Sequence, residues 1–311
     1  MDFLYIILGF FLLIFGGNWL LKSAVSISLR LQIPKIVIGM TVVSFATSAP
    51  ELIVSIRSAI NGFPDLALGN VMGSNIANLG LVLGITLLVS KIDIQKSFYK
   101  TDWPIMMIAT ALLTIFIFND STVSHTEGFI LFSCLLIFLV YLLRYQKQAV
   151  IDEAPDDDER LPNYKTALYL TLGSIGLWSG SELLIHGATS LALHYGVSER
   201  LIAVTVVSIG TSIPELAASL VAVIQKEKAI SIGNLIGSNM FNILAVLGIT
   251  SIITPISIND STLLTNDIYW VIGISFLILP LVFFPRKLRL DWKDGLILLL
   301  CYGIFLYTTT Q

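Results

Sequence analysis

The sequence predicts an all-α membrane protein of ten transmembrane helices, arranged as two inverted five-helix repeats. Three observations lead there. The 311 residues are 55% hydrophobic and 13% charged, with a mean hydropathy of +0.86, too little charge to coat a soluble protein of this length. A long segment of the first half recurs in the second at a constant offset. The basic residues also separate onto one side of the predicted bilayer.

Apolar runs at 3–21, 105–118, 129–143, 271–284 and 296–307 approach the ~20 residues an α-helix needs to cross the hydrocarbon core. None alternates strictly, which argues against a β-barrel. Turn and charge signals place helices at 3–29, 36–60, 66–89, 103–118, 127–146, 166–193, 200–225, 229–252, 267–284 and 294–308. The opening Met1-Asp2-Phe3 lacks the positive region of a cleavable signal, so the first run is expected to stay as a membrane helix.

Residues 41–52 read TVVSFATSAPEL and residues 205–216 read TVVSIGTSIPEL, identical at nine of twelve positions with an offset of 164. The register continues through GNVMGSNIAN at 69–78 and GNLIGSNMFN at 233–242. The chain is therefore a tandem duplication: a first repeat over 1–146, an acidic linker over 147–164 and a second repeat over 165–311. Five spans per copy is odd, so the second copy enters the membrane upside down. With both termini outside, only Arg57 and Arg200 of the 18 Lys and Arg fall in outer loops. That bias orients the chain in a cell (inner) membrane with the linker cytoplasmic. The linker's DEAPDDDE at 152–159 reads as a solvated, self-repelling spacer, with a regulatory Ca2+ site as the sharper alternative.

Composition also narrows function. A net charge of −3 gives no basic footprint, and no nucleic-acid motif is present. Cys134 and Cys301 lie in apolar runs and define neither a disulfide framework nor a metal site. No HExxH, GxSxG or other nucleophile–base motif suggests an enzyme. No cofactor and no obligate protein partner are inferred; the expected partners are the lipid bilayer and transported ions.

Glu51 and Glu215 carry the functional expectation. Each falls near the middle of a predicted span, where an ionised side chain costs at least ~2.5–3.5 kcal/mol. An uncompensated carboxylate there would protonate. Pro50 and Pro214 precede them, and a proline inside a helix frees the carbonyl four residues earlier, here Ala46 and Gly210. Carbonyls around 44–47 and 208–211 thus become available to a cation at a depth where lipid cannot satisfy them. Thr47 and Ser48 lie three or four residues before Glu51 and share its helical face, as Thr211 and Ser212 do with Glu215. Asn70, Ser74 and Asn78, with Asn234, Ser238 and Asn242, form polar stripes. Interhelical hydrogen bonding is favoured for Asn70 and Asn234, coordination for Ser74, Asn78, Ser238 and Asn242. Gly69, Gly73, Gly84, Gly233, Gly237 and Gly248 are read as close helix approaches. An all-oxygen donor set suits hard cations: Ca2+ takes six to eight oxygens in flexible mixtures, and Na+ could use the same atoms.

The paired TSxPEL segments at 47–52 and 211–216, with GNxxGSN at 69–75 and 233–239, resemble the calcium/cation antiporter superfamily, specifically its sodium/calcium exchanger branch. The resemblance covers essentially the whole chain. It implies ten helices with Ca2+ held mainly by Glu51 and Glu215. Na+ would be held by those carboxylates, by Thr47, Ser48, Thr211, Ser212, Ser74 and Ser238, and by the carbonyls of Ser44 and Ser208. Family members exchange Ca2+ for Na+, use H+, or add K+; three Na+ per Ca2+ would carry one net charge per cycle, worth ~2.3 kcal/mol per 100 mV. Several members have Asp where this chain has Asn242, which implies two site carboxylates instead of three and exchange independent of K+. A Ca2+/H+ antiporter and a cation channel are the rival readings. Glu182 and His186, one turn apart, read as an interfacial polar pair, with proton coupling as the alternative.

Overall fold

A computed structural model of the chain describes residues 2–145, 160–195, 208–285 and 288–310. The acidic run 152–159 and the start of the predicted seventh helix at 200–207 lie outside the described residues. The helices are α1 (Asp2–Leu31), α2 (Lys35–Thr47), α3 (Ala49–Ile60), α4 (Pro64–Val89), α5 (Phe98–Asp120), α6 (His125–Tyr145), α7 (Asn163–His194), α8 (Ser208–Gly210), α9 (Ile213–Ile224), α10 (Lys228–Ile253), α11 (Leu263–Phe283) and α12 (Trp292–Thr310). Four two-residue strands complete the described secondary structure: β1 (Ile92–Asp93), β2 (Thr122–Val123), β3 (Ile256–Ser257) and β4 (Arg289–Leu290). Among the described residues, seven helices are long and apolar enough to cross a bilayer, or eight if α2 and α3, bent by 45° at their junction, count as one span. The protein is an all-helical, multi-pass membrane protein.

Helix ends follow local chemistry. Asp2 opens α1 and Arg30 closes it, each matching the sign of the helix dipole. Pro50 and Pro64 sit in the first turns of α3 and α4, where a missing N–H costs nothing. A capping box opens α6: the Ser124 N–H donates to Glu127 at 2.8 Å, and the Glu127 N–H returns to the Ser124 hydroxyl at 3.3 Å. Asp291 and Asp294 supply the equivalent cap for α12, with the Asp291 N–H on the Asp294 carboxylate at 2.8 Å. π-helical turns break the regular winding of α4 at Asn78–Val82 and of α10 at Asn242–Leu247, equivalent positions in the two repeats. Such turns are rare and concentrate at functional sites.

The chain forms two compact units. The first comprises 1–47 and 141–235. Here α1 and α7 run antiparallel with their backbones almost touching. A methyl group added to Gly9 would lie 2.8 Å from the Gly180 carbonyl, and one on Gly16 would lie 3.0 Å from the Gly173 carbonyl. Small residues allow this approach, the usual basis of helix association in lipid. The outer face of α1 turns Phe3, Phe10, Phe11, Ile14 and Phe15 outward, each at least half exposed. Gly39 of α2 packs against Gly233 of α10 in the same way, and Lys35 forms an ion pair with Glu227 at 2.7 Å.

The second unit comprises 48–140 and 236–311. Gly84 of α4 meets Gly295 of α12, and Gly248 of α10 meets Gly128 of α6. β1 pairs antiparallel with β4, and β2 with β3. In each case one repeat's element pairs with the counterpart of its own neighbour in the other repeat. The same exchange relates Gly9–Gly180 to Gly16–Gly173, since Gly9 is equivalent to Gly173 and Gly16 to Gly180 at the offset of 164.

The close-approach expectation fails at two glycines. Gly73 has no atom within 4 Å of where a Cβ would stand, and Gly69 has only a Leu263 side-chain carbon at an ordinary 3.6 Å, so close approach explains neither glycine. It does explain Gly84, Gly233 and Gly248.

Candidate cation-binding site

The helix breaks predicted at the two prolines are present and alike. Ser48 stands at φ −86°, ψ 2° and Ser212 at φ −89°, ψ 3°, and each is followed by a helix with proline in its first turn. Glu51 and Glu215 lie in those first turns and are fully buried. A helix N-terminus is the favourable end for a carboxylate. Loss of hydration disfavours its charge, so retaining an ionised form demands a compensating cation or donors.

The freed carbonyls have partners where the structure describes them. The Gly210 carbonyl, four residues before Pro214, accepts the Ser181 hydroxyl of α7 at 2.8 Å. The Ser44 carbonyl accepts the Thr47 hydroxyl at 3.3 Å. The Ser44 hydroxyl donates to the Asn234 carbonyl at 2.9 Å, and Thr47 also reaches the Asn234 amide oxygen at 3.2 Å. Asn234 thus acts in interhelical bonding, as expected for it.

Of the predicted ligands, Ser44, Thr47, Ser48, Glu51, Ser74, Asn78, Ser212, Glu215, Ser238 and Asn242 are all under 4% exposed. Thr211 is partly exposed, and Ser208 opens α8 with its side chain outside the described residues. In the first unit the structure brings Ser44 and Thr47 together on Asn234. In the second, Ser74 and Asn78 share α4, while Ser238 and Asn242 share α10.

Two serines were missed. Asn70 donates to Ser55 at 3.1 Å and Asn234 donates to Ser219 at 3.2 Å, the same bond in both repeats. Ser55 and Ser219 stand one turn beyond the two glutamates and are fully buried. Their recurrence at the offset of 164 was the available signal. Asn70 also reaches the Glu51 carbonyl at 3.5 Å and so anchors the turn that carries that acid, while Asn234 holds the following turn of its helix through Ser219. Glu182 and His186 are both exposed, and the His186 ring meets Tyr5 edge-on at 5.1 Å.

The model of the sodium/calcium exchanger protein family matches residues 1–144 and 165–311. The candidate antiporter CaxA of Alkalimonas amylolytica is 36% identical, over 96% of this chain and 95% of its own. The sodium/calcium exchanger MaX1 of Methanosarcina acetivorans is 29% identical, over 98% of this chain and 97% of its own. A solved structure of the sodium-calcium exchanger NCX_Mj superposes with a TM-score of 0.84 at 25% identity, covering 99% of this chain and 98% of that one. With two duplicated, proline-broken helices each burying a glutamate, and a family match along nearly its whole length, the chain belongs to the sodium/calcium exchanger family.

Proposed function

We propose that this chain exchanges Na+ for Ca2+ across a cell membrane by alternating access, with three Na+ per Ca2+ and Ca2+ normally leaving the cell. One observation carries the reading. Both repeats place a fully buried glutamate in the first turn after an identical helix break. A single buried acid can be a protonated structural group; a duplicated pair, each beside buried hydroxyls and amides, suits a hard divalent cation better.

In this proposal Ca2+ is held by Glu51 and Glu215, whose two charges neutralise it. Na+ uses the same carboxylates with Thr47, Ser48, Thr211, Ser212, Ser74 and Ser238, and the carbonyls of Ser44 and Ser208. Asn78 and Asn242 complete the oxygen set. Because both ions need the same two acids, they exclude each other, and exclusion makes the transport an exchange. Two ionised, desolvated carboxylates without a cation repel, so closing over an empty site is slow. The exchanged pairings of α1–α7, of the glycines and of the strands support two five-helix repeats of opposite orientation, ten spans in all. The separation of basic residues supports outer termini and a cytoplasmic 147–164 linker. NCX_Mj is described as undergoing extracellular ion exchange with induced binding-site occlusion, and the same cycle is proposed here.

The test is Na+-gradient-driven uptake of radiolabelled Ca2+ into proteoliposomes, for the wild type and for Glu51→Gln and Glu215→Gln. Uptake in the wild type and near-complete loss in both variants is the expected result. Uptake that ignores Na+ and collapses with a protonophore would reassign the chain to Ca2+/H+ exchange. Steady conductance without counterflow would make it a channel.

A further inference from the structure

We propose that Asn75 and Asn239 are positioning residues: a reciprocal clasp that sets the amide orientation of Asn242 in this conformation and of Asn78 in the alternate one. The inference rests on the exchanger reading and concerns how that site is switched.

The clasp lies within the second unit. Asn75 Nδ2 donates to the Asn239 backbone carbonyl at 3.1 Å, and Asn239 Nδ2 donates to the Asn75 carbonyl at 3.1 Å. The two residues are equivalent at the offset of 164, and both are at most 2% exposed. Each bond fixes a side-chain orientation, because a carbonyl oxygen accepts only from the amide nitrogen. Asn75 must therefore present Oδ1 away from that bond. Asn242 meets this oxygen at 3.1 Å, and only its Nδ2 can donate there. The Asn242 Oδ1 is left as the oxygen end of the amide, buried and without a hydrogen-bond partner among the described residues. Starting from one backbone carbonyl, a chain of forced choices delivers an oxygen at a residue expected to bind cations. A reversed amide would offer N–H groups that repel them.

Symmetry holds for the clasp and fails just beyond it. The mirror bond would join Asn78 Nδ2 to Asn239 Oδ1. Both amide atoms of Asn78 and the Oδ1 of Asn239 are instead buried with no hydrogen-bond partner among the described residues. Three buried polar atoms are thus without a partner on this side, against one, the Asn242 Oδ1, on the other, and burying a polar group unpaired is unfavourable. In transporters built from inverted repeats, access switches as the two repeats exchange roles. The alternate conformation should then make the Asn78–Asn239 bond and release Asn242. The π-helical turns beginning at Asn78 and Asn242 lie directly beyond the clasp, where an extra residue per turn lets each amide be re-aimed without unwinding the helix.

The measurement is the KM for Ca2+ at each membrane face separately, in proteoliposomes of defined orientation, for the wild type, Asn75→Ala and Asn239→Ala. Each variant is expected to raise KM about three- to tenfold, the size of one lost hydrogen bond, at one face only, and the two variants at opposite faces. Should an alanine variant fail to yield folded protein, Asn75→Gln and Asn239→Gln, which keep both polar groups on a longer stem, are read in the same way. If both variants weaken both faces alike, or neither changes KM, the clasp is merely structural and the inference falls while exchange stands. A wild type without Na+-driven exchange at either face overturns the exchanger reading and this inference with it.

Discussion

Two helix pairs from the same duplication have been put to opposite uses. In α1 and α7 only 33% and 28% of the most apolar window is buried, whereas in α4 and α10 the shares are 78% and 83%. The first pair joins through glycine backbones and turns its large apolar side chains outward. The second carries serine and asparagine through its buried middle, interrupted by π-helical turns. Where lipid is one neighbour, small residues serve close packing, since apolar side chains gain nothing by leaving lipid for protein. Where protein surrounds the helix, each polar group must find another, and an ordered oxygen set results. The outer pair should therefore fail by unfolding and the inner pair by losing transport.

The sharpest challenge to that division is at the acids. Glu51→Gln and Glu215→Gln should abolish Ca2+ uptake while leaving a monodisperse protein whose thermal midpoint matches the wild type or exceeds it, because a buried charge has been removed. Loss of folding instead would make the acids structural. Next in size is Gly16→Leu. Its Cβ would stand 2.7 Å from the Leu177 backbone nitrogen, and overpacking of this kind costs about 1–3 kcal/mol or more. A clear fall in the thermal midpoint in detergent is expected. Gly73→Ala is its control in α4, with open space at the Cβ position; it should keep or slightly raise stability, as alanine favours a helix interior. A drop comparable to Gly16→Leu would erase the contrast. Smaller still, Ser55→Ala and Ser219→Ala each remove the acceptor for a stripe asparagine. Each should slow exchange about three- to tenfold, and unequal effects would show that the two repeats contribute differently.

Much of this was legible in the sequence, because duplication and proline are strong signals. The offset of 164 located both glutamates, and proline chemistry located both breaks, down to the carbonyl of Gly210. Edges were less legible. α5 begins at Phe98 instead of 103, since its first turn is the π-helical segment FYKTD, whose Lys100 and Asp102 read as loop. α11 likewise starts at Leu263 through LLTND. The strands escaped notice because two residues carry no alternation. Ser55, Ser219, Asn75 and Asn239 were visible as repeated letters. What each bonds to is set by the crossing of helices distant in sequence, which local pattern does not encode.

The smallest effect is expected at Glu182, the one acid in α7. If the division between outer and inner helices holds, an exposed side chain on an outer helix has no share in ion selection, although its position beside His186 invites a proton-coupling role. Glu182→Gln should leave the KM for Ca2+ and the Na+-driven rate within about twofold of wild type, the usual range for surface substitutions. The pH profile should be unchanged as well. A flattened profile in this variant, with stability intact, would place a working proton site on the lipid-facing pair. Transport chemistry would then extend beyond the buried helices, and the separation of roles drawn from burial would have to be abandoned.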